Sequence, residues 1–166
     1  MSVTPHPITL RPITPDNYRA VRDLRVLPGQ RGYVAPNVDS MAEAYAHPGA
    51  VARAIQHGDD LVGFVLFQPV DADRPEAGCG IVRFMIDHRF QGRGLGREAL
   101  RVAVDFAARD PATRTVRLSV VPENTRARRL YAAAGFVETG ELDDGEVVMV
   151  HTVARPGQPL AARRPT

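Results

Sequence analysis

Residues 91–96 read Gln-Gly-Arg-Gly-Leu-Gly, QGRGLG, and sit inside the run 81–108, IVRFMIDHRFQGRGLGREALRVAVDFAA. An apolar strand-like stretch, 81–86, leads into them. After them Leu95, Ala99, Val102/Ala103 and Phe106 recur at helical spacing, which predicts a helix to about residue 108. A glycine-rich turn between a strand and a helix exposes backbone N–H groups. It also aims the positive end of the helix dipole at whatever lies above it. An anion, and a phosphate above all, is the ligand such a turn suits.

Two phosphate motifs fail on the letters. A P-loop ends in Gly-Lys-Ser/Thr, whereas Gly96 is followed by Arg97-Glu98. A dinucleotide fingerprint needs a glycine three residues after its second one, and that position is Arg97. Working outward, Thr14-Pro15-Asp16 reads as a helix start, so residues 15–27 are expected to form a first helix, ended by Pro28-Gly29. A shorter helix is expected over 38–47, starting near Asn37. The period then changes to two, giving strands over 50–56 and 61–67 around Gly58-Asp59-Asp60. A polar loop, 71–78, precedes the strand 81–86. Beyond the glycine turn and its helix, a strand is expected over 115–121. A further helix carries Ala127, Leu130 and Ala134 inward and closes at Gly135. Final strands over 136–139 and 146–153 flank a DDG turn. Two helices, a meander, then β-α-β-α-β-β describe an α+β protein with a mixed sheet.

Composition sets the remaining bounds. The 166 residues fit one domain, expected over 1–154, and the tail 155–166 has too few large apolar residues to fold. A net charge of +2 makes no case for nucleic acid. All basic residues are arginine, a uniform bias with no site preference. No apolar stretch is long enough for a membrane span, and the N-terminus lacks the features of a signal peptide, so a cytoplasmic home is expected. Cys79 is the single cysteine, and no histidines have ligand spacing, so no metal is expected. Cys79 has no adjacent histidine to activate it and is read as a small buried hydrophobe.

The loop QGRGLG fits the Q/R-x-x-G-x-G/A pyrophosphate loop of the GNAT N-acetyltransferases. The strand before it, then SVVPEN ending at Asn124, then RRLYAAAGF with Tyr131 seven residues later, follow in that family's order over roughly 8–153. The chain therefore resembles this family. Within it, RFMIDHRFQGRGLGREAL, SVVPEN and YVAPNVDSMAEAYA look most like the bacterial spermine/spermidine (diamine) N-acetyltransferases. The resemblance implies a mixed central β-sheet flanked by helices, with strands 81–87 and 115–121 splayed to form an acetyl-CoA cleft. Under it, the strand end at Met85, Ile86 and Asp87 lies along the cofactor. The backbone of Gln91, Gly92, Arg93, Gly94, Leu95, Gly96 and Arg97 holds the pyrophosphate, and Asn124 and Tyr131 complete the site.

Acetyl transfer to an amine needs a hydrogen-bond donor for the carbonyl oxygen, a route for the amine proton and a proton for the sulfur. The resemblance puts the donor at the backbone near Met85–Ile86 and the acid at Tyr131. Asn124 is also expected to cap the last helix. In some polyamine acetyltransferases an acid on the strand before the loop helps as base. Here that position is Val82 or Arg83, so the pattern is broken. Asn37, Glu43 and Glu76 are the expected contacts for the acceptor, with Asp39, Asp71 and Asp73 as further acids. The expected partner is a small amine such as spermidine or spermine, and a homodimer stays open. Alternatives are another acceptor (an aminoglycoside, an amino acid or a protein N-terminus) or a CoA-binding sensor without turnover.

Overall fold

The computed structural model describes residues 6–70 and 78–154. In chain order the elements are β1 (Ile8–Pro12), α1 (Tyr18–Asp23), a 3₁₀ turn (Pro28–Gln30), α2 (Asn37–Ala46), β2 (Val51–His57), β3 (Asp60–Val70) and β4 (Gly78–Ile86). A 3₁₀ turn (His88–Phe90), α3 (Leu95–Ala107), β5 (Thr115–Val120), α4 (Thr125–Ala133), β6 (Val137–Asp143) and β7 (Glu146–Thr152) follow. The seven strands form one mixed sheet in the order β1-β2-β3-β4-β5-β7-β6. Every neighbouring pair is antiparallel except β4 with β5.

Helices cover both faces. On one face the small residues Ala99, Ala103 and Ala107 of α3 let it sit close on Ile81, Val116 and Leu118, and Tyr131 and Phe136 extend this core toward α4. On the other face Val21 and Leu24 pack with Phe64, Leu66 and Met85, and Met41 and Ala44 of α2 close the edge. The β6–β7 hairpin turns on Asp144 (φ 49°) and Gly145 (φ 83°), the positive-φ pair that a two-residue hairpin loop requires.

Several elements differ from expectation: β3 runs on to Val70 and β4 begins at Gly78, against expected strands over 61–67 and 81–86. β1 was not anticipated, because only Ile8 of its five residues is buried, so no clean alternation marks it. The first helix is limited to 18–23 instead of 15–27. At its start Asn17 folds back, its Oδ1 accepting from the Thr14 N–H (2.8 Å) and its Nδ2 donating to the Pro12 carbonyl (2.9 Å). At its end the chain turns extended at Leu24 (ψ 139°) because Arg25 docks on the end of β4: its N–H donates to Asp87, and its carbonyl accepts from the His88 N–H, each at 2.8 Å. β6 runs through Asp143, well past the expected end at 139, yet all seven of its residues are exposed. The expected tail, 155–166, and the polar loop 71–77 lie outside the described residues.

Candidate active site

β4 and β5 pair over only three positions, Gly78 with Thr115, Cys79 with Val116 and Gly80 with Arg117, and then part. Glycine is needed at the point of closest approach, because a Cβ on Gly78 would stand 2.2 Å from the Thr115 carbonyl oxygen. Just beyond, the register with β3 slips: Leu66 faces Arg83 while Phe67 faces Ile81, so Val82 is an extra residue. Such a bulge bends a strand and raises its twist. It also breaks alternation. Ile81 and Phe84 face the α3/α4 core, whereas Val82 packs on the α1/α2 core and Arg83 reaches α2. The separated strands leave a cleft of about 1090 Å³, walled by residues 80–86 and 117–121.

The glycine turn sits at the mouth of this cleft. Gly92 (φ 78°) and Gly94 (φ 79°) adopt the left-handed conformation that favours glycine, and neither has a heavy atom within 4 Å of where a Cβ would be. Gly94 caps the 13-residue α3, whose first N–H groups have no intrahelical partner. Leu95 is buried and anchors the helix in the core, so its side chain faces away from the opening. Gln91 braces the loop: its Nε2 donates to the Ile86 carbonyl and to Gln30 Oε1, both at 2.9 Å. The Arg93 guanidinium stacks 5.7 Å from the centre of the Phe90 ring. Gly92, Gly94, Gly96 and Arg97 line the cleft, and α4 adds Arg126 and Arg129 to the same wall.

Met85 and Ile86 also line the cleft, while the Met85 side chain is buried among the α1/α2 residues. Asp87 is not on that lining. Its carboxylate is buried and accepts from the Arg25 N–H (2.8 Å), the Arg89 N–H (3.0 Å) and Arg89 Nε (2.7 Å). Burial would push this carboxyl up, but those hydrogen bonds outweigh it and hold it below the usual range. Asp87 therefore ties the segment after α1 to the end of β4.

From the far wall, Asn124 Oδ1 accepts from the Ala127 N–H at 3.2 Å, so it caps α4 while lining the cleft. Tyr131 is 8% exposed, packs 6.0 Å from Phe136 and opens onto the cleft. Its hydroxyl makes no hydrogen bond among the described residues. Burial first, and the charge of Glu146 second, push its pKa up to about 12, so it is a protonated phenol throughout the neutral range.

The acceptor contacts expected from sequence are not brought to the cleft. Asn37 is buried, with Nδ2 donating to the Val21 carbonyl at 2.8 Å, which fixes α2 against α1. Glu43 is occupied by Arg83 (3.2 Å) and by Gln68 Nε2 (2.9 Å). Asp39 is exposed in the first turn of α2. Glu76, Asp71 and Asp73 lie outside the described residues. The carboxylates that do line the cleft are Asp143 and Glu146, at the turn end of the β6–β7 hairpin. Sequence reasoning passed over both as flanks of the DDG turn. Only their pairing across a two-residue loop, Asp143 opposite Glu146, would have put them together. Cys79 has its thiol pushed up to about 11 by burial and by Asp110, which keeps it protonated in the neutral range. No group of three potential metal ligands occurs among the described residues.

The chain is similar to several known proteins. A family model described as "Acetyltransferase (GNAT) family" matches residues 18–136. The spermine/spermidine N(1)-acetyltransferase of Bacillus subtilis (strain 168) is 34% identical over 147 residues, covering 86% of this chain and 97% of that protein. Among solved structures, the aminoglycoside acetyltransferase AAC(6')-Ib with coenzyme A and kanamycin superposes with a TM-score of 0.72 at 23% identity, over 87% of this chain and 94% of the other. A spermidine N-acetyltransferase chimera from Vibrio cholerae gives 0.66 at 20% identity, over 87% and 94%.

Proposed function

The chain belongs to the GNAT acetyltransferase family, and we propose that it is an acetyl-CoA-dependent enzyme whose acceptor is a polyamine such as spermidine or spermine. One observation carries the acceptor: a spermine/spermidine N(1)-acetyltransferase aligns over nearly its whole length at 34% identity. The cleft adds support. Asp143 and Glu146 give it carboxylates for a cation, and Arg83 is neutralised by Glu43.

The residues present fit acetyl-CoA. The turn at Gly92 and Gly94 has open space where side chains would stand, which lets phosphate oxygens approach the backbone. Arg97, Arg126 and Arg129 supply positive charge on the same wall. When bound, acetyl-CoA supplies an acetyl group activated as a thioester. The chain's own part is then threefold. The edge of β4 near Met85 and Ile86 offers a backbone N–H to the carbonyl oxygen. The apolar walls from Ile81 and Leu118 exclude water. Tyr131 holds a proton at its hydroxyl for the sulfur, and its raised pKa keeps it there. A cytoplasmic home belongs to the same proposal; among the described residues no helix is long and apolar enough to cross a membrane.

The test is a steady-state comparison of spermidine, kanamycin and a short peptide with acetyl-CoA, following free thiol. The polyamine reading expects spermidine to have the highest kcat/KM. A tenfold advantage for either other acceptor, about 1.4 kcal/mol in transition-state binding, sinks that reading and leaves the family assignment standing.

A further inference from the structure

We propose that Glu146, which lines the same cleft as Tyr131 but from the opposite face of the sheet, is the proton acceptor for the attacking amine; this rests on the reading of the site as one that acetylates amines. The chain needs such a group, because Val82 and Arg83 occupy the strand positions where an acid was looked for. Among the described residues, two other acids near the strands are engaged. Glu43 is held by Arg83 and Gln68. Asp143 shares Arg117 with Glu141, at 3.9 and 3.4 Å. Glu146 alone of the acids lining the cleft has no guanidinium within ion-pair distance among the described residues. Its Oε2 accepts from Ser119 Oγ at 2.5 Å, which orients the carboxylate and leaves Oε1 without a partner among the described residues.

The sheet geometry puts this carboxylate on the right side. In β5, Leu118 and Val120 point into the α3/α4 core, so Ser119 between them points away from it. Ser119 pairs with Val148, and Glu146 is two residues from Val148 on β7, hence on the same face as Ser119. Tyr131 approaches from α4, on the face with Leu118 and Val120. Both groups line the same cleft, and the charge of Glu146 is felt at the phenol. Tyr131 of α4 feels the charge of Glu146, Asp143 of β6 pairs opposite it, and Arg117 of β5 is turned to Asp143 and Glu141.

The arrangement closes a proton circuit. The amine lone pair forms the new N–C bond, and the C–S bond breaks with its electron pair on sulfur. The proton lost by nitrogen goes to Glu146, the Tyr131 proton goes to sulfur, and the proton on Glu146 returns to the Tyr131 oxygen. Both side chains end as they began, and the products are the amide and the free thiol.

The experiment compares Glu146→Gln, Glu146→Asp, Glu146→Ala and a control on the exposed β2–β3 turn, Asp59→Asn, using whichever amine the parent acetylates best. For Glu146→Gln, kcat falls about 10²–10³-fold while the KM for acetyl-CoA stays within about twofold. Glu146→Asp retains more activity than the glutamine variant, and Glu146→Ala regains activity with added formate. The control keeps parental kcat. A second readout needs no turnover: NMR titration of ¹³Cζ-labelled tyrosine in the free protein finds the Tyr131 pKa lower in Glu146→Gln than in the parent, since a nearby negative charge has gone. The proposal is overturned by a kcat within about threefold of the parent, by a raised amine KM at unchanged kcat, or by a Tyr131 titration that does not move. If spermidine is not the best amine, only the polyamine reading fails; if the parent acetylates no amine, the reaction reading fails and the titration still decides whether Glu146 and Tyr131 are coupled.

Discussion

The glycine turn makes a prediction in which folding and binding come apart. Gly94 has φ 79° and ψ −7° at the N-cap of α3, with no heavy atom within 4 Å of an added Cβ. The Cβ of an alanine or aspartate there therefore meets no protein atom, and the cost to the free protein is mainly the left-handed backbone, about 1 kcal/mol. Aspartate tolerates that conformation better than alanine does. Binding is different, because the space that a side chain would fill is the space proposed for the pyrophosphate. A carboxylate about 5 Å from a phosphate charge, at an effective dielectric constant of about 20, is repelled by roughly 3 kcal/mol. Halving this for an exposed loop leaves about 1.5 kcal/mol, so Gly94→Asp should weaken CoA binding by about 10- to 100-fold. Gly94→Ala, with only the methyl group in the way, should weaken it less. The assay is titration calorimetry with CoA in low salt and again near 1 M salt, where the screening length is about 3 Å and the charge part should shrink. Urea unfolding of both variants should give stabilities within about 1 kcal/mol of the parent. If Gly94→Asp binds CoA within about threefold of the parent in low salt, the turn does not hold the pyrophosphate.

Three further outcomes follow from the geometry. Tyr131→Phe should lower kcat by about 10²-fold, with calorimetric CoA affinity within about twofold, because it deletes only a hydroxyl whose role lies in the transition state. Asp87→Asn should cost about 2 kcal/mol in urea unfolding: whichever way the amide turns, it faces Arg25 or Arg89 donors with a donor of its own. The Arg89 side chain is 59% exposed, so its ion pair is discounted and the buried Arg25 N–H carries most of that loss. Because the folded carboxyl is held below its unfolded value, its contribution is complete above about pH 4 and disappears as pH falls through the depressed value; a parent–variant gap that widened on acidification would refute this. Gly78→Ala should cost about 3 kcal/mol by thermal or urea melting, since its methyl group would sit 2.2 Å from a backbone carbonyl that cannot swing aside; a cost under about 0.5 kcal/mol would show that β4 and β5 are not held together there.

The parts legible from sequence are those whose signal is local. The bare loop, the helical spacing from Leu95 and the Asn-to-Tyr interval need only neighbours in the chain, and the helices α3 and α4 fall where that spacing put them. What escaped is tertiary. The first helix has the letters for residues 15–27, but the Asp87 carboxylate captures the Arg25 N–H and draws the chain out of helical geometry. Asn37 and Glu43 have the chemistry of substrate contacts, yet a carbonyl from α1 and a guanidinium from β4 claim them first. The Val82 bulge that turns Arg83 toward Glu43 has no mark in IVRFMI, because each residue there suits a regular strand. Glu146 looked like the flank of a turn; its significance depends on a hairpin that folds back along β5.

The charges of the cleft follow from the same split in the sheet. Arg97 and Arg126 project from the first turns of α3 and α4 and Arg129 from the middle of α4, on the side where the helix dipoles also point their positive ends, so that wall attracts an anion. Across the gap the arginines on the strands are countered: Arg83 by Glu43 from α2, and Arg117 by Glu141 and Asp143 from β6. A bare guanidinium on either strand would repel an ammonium group from the place where it must react. With those charges offset, the carboxylate of Glu146 dominates its surroundings. For the proposed polyamine acetylation, an anionic donor and a cationic acceptor would be drawn to different walls of one opening. The bulge at Val82 serves both ends of this scheme, since it bends β4 away from β5 and swings Arg83 onto its partner in α2.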